Sequence, residues 1–251
     1  MRKVLAFDLG GTKFAFGVVA EDGTVLGSGR VETHAEAGPA QAVQRVAAAA
    51  QQLLSELKLK PSDLLALGIA SPGPLDTARG CVDGSPNLPG WTGYSIEGEL
   101  SKAFGRLPAR IDNDCNAAAL GEYVFGAGKG KRNLVYLTIS TGIGGGAVID
   151  GRLMRGANGN AAELGHIPLT LDGPRCGCGN QGCWEAYASG TAIARRTREA
   201  LAAGRRSSIL GFAGTIDQVT TYHLFQALAE KDALATEIWD QSIDYLGRGL
   251  G

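Results

Sequence analysis

The chain has 251 residues, 44% of them apolar, with 24 basic and 25 acidic side chains for a formal net charge of −1. That length allows one large domain or two modest lobes with buried cores, and the balanced charge excludes the basic face that binding to nucleic acid requires. No apolar stretch is long enough to span a membrane, and no charged-then-apolar leader precedes the first strand, so a cytoplasmic protein without a membrane partner is expected.

The opening run from Val4 to Leu9 is apolar and meets Gly10-Gly11-Thr12, and a second run from Phe14 to Ala20 stops at Asp22-Gly23. This predicts strand, glycine turn, strand, then a further strand over Thr24 to Arg30. From Pro39 to Leu57 the apolar residues Ala42, Val43, Val46, Ala50, Leu53, Leu54 and Leu57 recur at helical spacing, and Pro61 ends the element. Leu64 to Ala70 is a buried strand that runs into Ser71-Pro72-Gly73-Pro74, and residues 76 to 100 read as irregular. A short strand over Pro108 to Ile111 delivers Asp112-Asn113-Asp114, followed by a helix over Asn116 to Phe125. A strand over Leu134 to Ile139 meets Ser140-Thr141-Gly142-Ile143-Gly144-Gly145-Gly146, and Ala147 to Asp150 forms the next strand, turning at Gly151. Three helices follow, over Thr191 to Ala203, Thr221 to Glu230 and Ala233 to Leu250, with apolar residues read as core and no chemistry assigned to them. Strands mixed with helices predict an α/β architecture.

Glycine makes up 38 residues, about twice the usual share. The chain echoes itself: apolar strand, small-residue turn, apolar strand and Asp-Gly turn occur near residue 10 and again near residue 142. Exposed N–H groups of such turns can wrap a phosphate. Gly10, Gly11, Thr12 and Lys13 form one candidate turn, with Asp8 as an acid near a magnesium site, and Thr141 and Gly142 belong to the other. Two further nucleotide signatures fail. Gly142-x-Gly144-x-x-Ala147 is followed by a strand where the dinucleotide fingerprint needs a helix, and Gly128-Lys129 is followed by Gly130 where a P-loop needs Ser or Thr.

Five cysteines are present, three of them within eight residues, which suits a metal better than a disulfide framework. His166, Cys176, Cys178 and Cys183 supply one imidazole and three thiols, a donor set that makes a closed tetrahedral zinc site with no position left for a reactive water. Glu163 and Glu185 flank this knot and are placed to accept hydroxyl donors, as a sugar supplies. Asp112-Asn113-Asp114 sits between strand and helix. Asp114 there is a candidate base for a sugar hydroxyl attacking phosphorus, with Asp114 or Asn113 as helix N-cap the competing role and Asp112 a cap or orienting group.

Asp8-Leu9-Gly10-Gly11-Thr12-Lys13, Ser71-Pro72-Gly73-Pro74, Asn87, Ile111-Asp112-Asn113-Asp114, the 140–146 turn, Glu163-Leu164-Gly165-His166 and Cys176 to Glu185 together resemble the ROK family of repressors, open reading frames and kinases. That resemblance implies a two-lobed actin-like ATPase/hexokinase (ribonuclease H-like) fold with a central cleft, here divided as lobes 1–114 and 115–251. It implies phosphoryl transfer from ATP, with Mg2+, to a hexose, and a homo-oligomer (dimer or tetramer). Asp114 would be the catalytic base, and Gly73, Asn87, Asn113, Glu163, His166 and Glu185 would hold the sugar. His166 would serve both zinc and sugar, while Asp8, Gly10, Gly11, Thr12, Lys13, Thr141 and Gly142 would match the phosphate and magnesium positions. The runs Gly156 to Asn160 and Glu185 to Gly190 are most similar to those of the glucose-phosphorylating members, with N-acetylmannosamine, N-acetylglucosamine and fructose kinases as alternatives. Asp8 lies too near the start for the helix-turn-helix domain of the family's repressors, so a sugar-sensing regulator is the lesser expectation. The segment Leu246 to Gly251 is where the family continues into an adenosine-receiving turn, and that turn is expected to be missing.

Overall fold

A computed structural model describes residues 1–85, 88–157 and 159–251. By its internal contacts the chain forms two compact units, Met1–Tyr136 with Gly146–Ala161, and Leu137–Gly145 with Ala162–Gly251.

The first unit is built on a five-stranded sheet in the order β3-β2-β1-β4-β7, from β1 (Lys3–Leu9), β2 (Lys13–Ala20), β3 (Val25–Glu32), β4 (Ala66–Ser71) and β7 (Ala109–Asn113). The first three strands are an antiparallel meander, and β1, β4 and β7 run parallel. The alternation along β1 and β4 sends Leu5, Phe7, Leu9, Leu67 and Ile69 into the core. Against the sheet lies α1 (Pro39–Glu56), whose Ala42, Val43, Val46, Ala47, Ala50 and Leu54 are buried on one stripe. Pro39 opens it at the position where a missing N–H is harmless.

The described residues between 76 and 100 are more ordered than the sequence suggests. They contain the two-stranded ribbon of β5 (Leu75–Asp76) and β6 (Cys81–Val82), then α2 (Ile96–Ala103). Ser95 caps α2 by accepting from the Gly98 amide, and Ile96 and Leu100 are fully buried one turn apart. Two apolar positions in eight residues are too few to stand out as a period among the surrounding glycines and prolines.

After β7 comes α3 (Asp114–Val124), then β8 (Leu134–Ile139), β9 (Ile143–Ile149) and β10 (Arg152–Leu153) in a sheet of order β10-β9-β8. The strand after the second glycine turn starts earlier than expected, because Gly144, Gly145 and Gly146 are themselves strand. A side chain at Gly146 would lie 2.6 Å from the Cys115 carbonyl oxygen and 2.7 Å from the Ala119 methyl, so bare backbone is what lets α3 lie flat on β9. That contact also moves the division of the chain. In place of a break after residue 114, α3 and β10 belong to the first unit, whose boundary crosses β8 and β9.

The rest of the second unit is helical, with α4 (Trp184–Ala188), α5 (Gly190–Ala202), α6 (Ile209–Ala213), α7 (Thr221–Ala229) and α8 (Ala233–Leu250). Leu201, Ile209, Val219, Leu224, Leu234 and Ile238 form its main core. Trp184, Ile143 and Ala188 form a smaller one beneath the cysteine-bearing loop. The five-residue helices α4 and α6 are too short to carry a readable period. Among the described residues no helix is long and apolar enough to cross a membrane.

Candidate functional site

The first unit collects its candidate groups at the carboxyl ends of its parallel strands, the position where open α/β sheets bind ligands. Asp8 on β1 is in register with Ala70 on β4, and Ala70 with Asp112 on β7. One residue further, Ser71 is in register with Asn113.

Asn113 is the N-cap of α3. Its Oδ1 accepts from the amides of Cys115 at 2.9 Å and Asn116 at 3.2 Å, which leaves the Nδ2 donors for other partners. The backbone of Gly73 passes close by, within 3.5 Å of that Nδ2 measured from where a Cβ would sit. Asp114 is the first residue of the helix, where exposed N–H groups favour a carboxylate, and its Oδ1 accepts from the Cys115 amide at 2.8 Å. Asp112 is the orienting group. Its Oδ1 accepts from the Asn113 amide and from Asn116 Nδ2, and its Oδ2 pairs with Arg155 Nε at 2.7 Å. Asn87, expected beside Gly73, lies outside the described residues, as does Asn158 of the 156–160 run.

The first glycine turn joins β1 to β2. The Gly10 amide is used inside the turn, donating to the Lys13 carbonyl at 2.9 Å. The amides of Gly11 and Thr12 have no acceptor among the described residues, so they are the two N–H groups of this turn open to an anion. The Lys13 side chain is exposed.

In the second unit the Ser140 amide closes the other turn onto the Gly142 carbonyl at 2.9 Å, and the Thr141 and Gly142 amides have no acceptor among the described residues. Glu185, from α4, lies directly beneath. Its Oε2 accepts from the Ile143 amide at 2.9 Å, and a Cβ on Gly142 would come within 2.4 Å of that oxygen. Glycine at 142 is what admits the carboxylate. Glu163 ends the segment entering the short turn Leu164–His166, and its carbonyl accepts from the His166 amide at 3.0 Å.

His166, Cys176, Cys178 and Cys183 converge as the spacing predicts, with their ligand atoms all within 4.8 Å of one another. The Cys176 sulfur lies 3.6 Å from His166 Nδ1, and the Cys178 and Cys183 sulfurs are 3.7 Å apart. Zinc bonds of about 2.3 Å to sulfur and about 2.0 Å to nitrogen give tetrahedral edges of roughly 3.5 to 3.8 Å, so the donor set fits a zinc ion. Backbone hydrogen bonds frame the loop: Cys176 to Asn180, Leu169 to Gly182 and Trp184 to Ile167. Without metal, burial and the neighbouring thiols push the Cys176 thiol up to about 12. A zinc ion reverses that preference by binding the thiolate.

Beside the second turn lies a cavity of about 590 Å³, bordered by Ser140, Thr141, Gly190, Thr191, Arg198 and Tyr222 among others. The helices beyond residue 190 have no motif that marks this cavity in the sequence. The available signal was Ser189-Gly190-Thr191: a capping serine, whose Oγ accepts from Ala192, followed by two small residues that bring α5 against the turn.

Desolvation, more than the charge of nearby Asp114, holds Asp8 above the ordinary carboxylate range, although its side chain still reaches solvent. The folded chain thus holds this proton more tightly than the unfolded chain. Stability falls as pH rises from the usual carboxylate value through the raised one, and remains at the lower level above it. Asp8→Asn is expected to remove that slope, leaving the variant more stable than the parent at pH 7, by less than about 1 kcal/mol for so accessible a group, and nearer to it at pH 4. Urea midpoints at the two pH values measure this, and a variant less stable than the parent at pH 7 would contradict the assignment.

The profile of the ROK family matches residues 4–251. The glucokinase of Thermotoga maritima is 40% identical over 251 residues, an alignment covering 99% of this chain and 76% of that protein. The crystal structure of a ROK hexokinase from Thermus thermophilus superposes with a TM-score of 0.82 at 39% identity, over 99% of this chain and 76% of that one. A ROK family glucokinase from Streptomyces griseus, solved in complex with glucose and AMPPNP, gives 0.79 at 36% identity, over 99% and 78% of the two chains. The α/β fold is that of the ROK hexokinases, the actin-like class that the motifs imply. On sequence and fold alike, this chain belongs to the ROK family.

Proposed function

We propose that this protein is an ATP-dependent hexose kinase that phosphorylates glucose to glucose 6-phosphate. The observation that carries the reading is Asp114, the first residue of α3 beside Asp8, at the carboxyl ends of β7 and β1. The glucokinase relatives, one of them solved with glucose and a nucleotide analogue, supply the substrate class.

Phosphoryl transfer asks for positioning, charge neutralisation and a modest base. Asp114 accepts the proton of the sugar hydroxyl as that oxygen attacks the γ-phosphorus of ATP, and the bond from that phosphorus to the β,γ-bridging oxygen breaks to release ADP. Asn113 offers its Nδ2 donors to the sugar with Gly73 alongside, since Oδ1 is committed to the helix cap. In the second unit Glu163, His166 and Glu185 are the candidates to bind further hydroxyls, and the family resemblance also assigns Asn87 to the sugar. Magnesium bound with ATP would neutralise charge on the phosphates, and Asp8 would be the residue to hold it. The open amides of Gly11 and Thr12, and of Thr141 and Gly142, receive phosphate oxygens, with the Lys13 ammonium as an added positive charge. The cavity along α5 and α7 has the size for a nucleoside.

A structural zinc ion in the Cys3His knot would close the loop from His166 to Cys183 and hold the flanking glutamates at fixed spacing. His166 presents Nδ1 toward the cysteines, which leaves Nε2 for a sugar hydroxyl. A cytoplasmic, homo-oligomeric enzyme completes the reading, carried by the family and not by any single side chain.

Asp114→Asn is expected to lower kcat by about 10² to 10⁴ while leaving glucose affinity within a few-fold of the parent, measured by steady-state kinetics and by calorimetric titration with glucose. Substantial turnover in that variant would remove Asp114 from the role of base. Elemental analysis should find about one zinc per chain. Cys178→Ser, a change at an exposed position that opens no cavity, should release the zinc and weaken glucose binding at least tenfold. Well-folded, metal-free parent protein with full glucose affinity would refute the zinc assignment.

A further inference from the structure

A turn that aims its N–H groups at a phosphate has carbonyl oxygens directed elsewhere, and these need donors of their own if the turn is to hold one shape. In the first turn both come from a residue well outside it. Thr33, just past the end of β3, is fully buried. Its hydroxyl donates to the Gly10 carbonyl at 2.7 Å, and its amide donates to the Thr12 carbonyl at 2.8 Å. The Thr33 carbonyl is tied in turn to α1, where the Arg45 guanidinium donates to it at 2.5 Å. Turn, strand end and helix form one hydrogen-bonded chain behind the open amides of Gly11 and Thr12.

The second turn is braced by the same device from different elements. The Thr191 hydroxyl, at the start of α5, donates to the Thr141 carbonyl at 2.8 Å, and the Gly190 amide donates to the Ser140 carbonyl at 2.8 Å. The Thr221 hydroxyl, at the start of α7, donates to the Gly190 carbonyl at 2.7 Å. In each unit a threonine hydroxyl from a neighbouring element grips a turn carbonyl within two residues of the open amides.

We infer that Thr33 and Thr191 are positioning residues for the nucleotide, each fixing one phosphate turn through a hydrogen bond to its backbone, Thr33 from behind the turn and Thr191 from the border of the cavity along α5. This rests on reading the two turns as the phosphate grips of the kinase. Loss of the Thr33 hydroxyl leaves the Gly10 carbonyl without that donor, and loss of the Thr191 hydroxyl leaves the Thr141 carbonyl with the longer bond from the Thr191 amide at 3.3 Å, so the open amides are held less firmly, more so in the first turn. The effect falls on the polyphosphate and spares the sugar, because neither threonine is bonded to a residue assigned to the sugar.

The test uses the full chain with Thr33→Val, Thr33→Ser, Thr191→Val and Thr191→Ser. Valine keeps the shape and removes the donor, and serine keeps the donor. AMPPNP with magnesium and, separately, glucose are titrated by calorimetry, and melting temperatures are recorded alongside. The expected result for Thr33→Val is a Kd for AMPPNP raised about tenfold, with glucose affinity within twofold. Thr33→Ser should restore the nucleotide to within about twofold. Thr191→Val, at an exposed position where folding is secure, should show a nucleotide-selective rise of about threefold that Thr191→Ser reverses. Valine variants that bind AMPPNP like the parent, or that lose glucose and AMPPNP affinity in equal measure, overturn the inference while leaving the kinase reading intact. A parent protein that binds glucose but no AMPPNP overturns both.

Discussion

The amide of Asn113 is the interaction on which the site depends. A helix begins with N–H groups that have no partner of their own, and Asn113 Oδ1 satisfies two of them, from Cys115 and Asn116. Because the cap is at the last residue of β7, the strand passes into α3 without a loop, and Asp114 is delivered at a fixed angle beside the strand ends. Asp112 tightens the junction by binding the Asn113 amide, Asn116 Nδ2 and Arg155 together. The choice between cap and chemistry, open at the level of sequence, resolves into a division of labour. Asn113 caps with its oxygen, and Asp114 shares the Cys115 amide through Oδ1 alone, which leaves its Oδ2 for other partners.

Function strains this arrangement. Burial, with the nearby charge of Asp114 as the smaller cause, disfavours a charge on Asp8, which a structure selected only for stability would avoid. The glycines tell a related story. Gly142 gives its space to the Glu185 carboxylate, and Gly146 gives its space to α3. In both places a side chain is absent so that another group can approach the backbone. The high glycine content thus follows from close packing around the turns as well as from the turns themselves.

Much of this was legible in the sequence. The meander, α1, the β8 strand, α8 and the convergence of His166, Cys176, Cys178 and Cys183 all announce themselves, because each is either strongly periodic or locally spaced. Short elements are not legible for the opposite reason. The helices α2, α4 and α6 have one or two turns each, and their buried residues, such as Ile96 with Leu100, gain meaning only against a partner surface. The two units do not follow a single cut of the chain, because packing of α3 against Gly146 joins residues far apart in sequence. The braces Thr33 and Thr191 carry no motif at all. A threonine at the end of a strand is unremarked until the carbonyl it serves is seen.

The central claim is that this chain moves a phosphoryl group from ATP to a hexose hydroxyl. Phosphorus NMR of the protein incubated with glucose, ATP and Mg2+ observes donor and acceptor in one spectrum. Glucose 6-phosphate and ADP should rise together in equal amounts, with no inorganic phosphate released. ADP and inorganic phosphate without sugar phosphate, or an unchanged ATP spectrum, would contradict it.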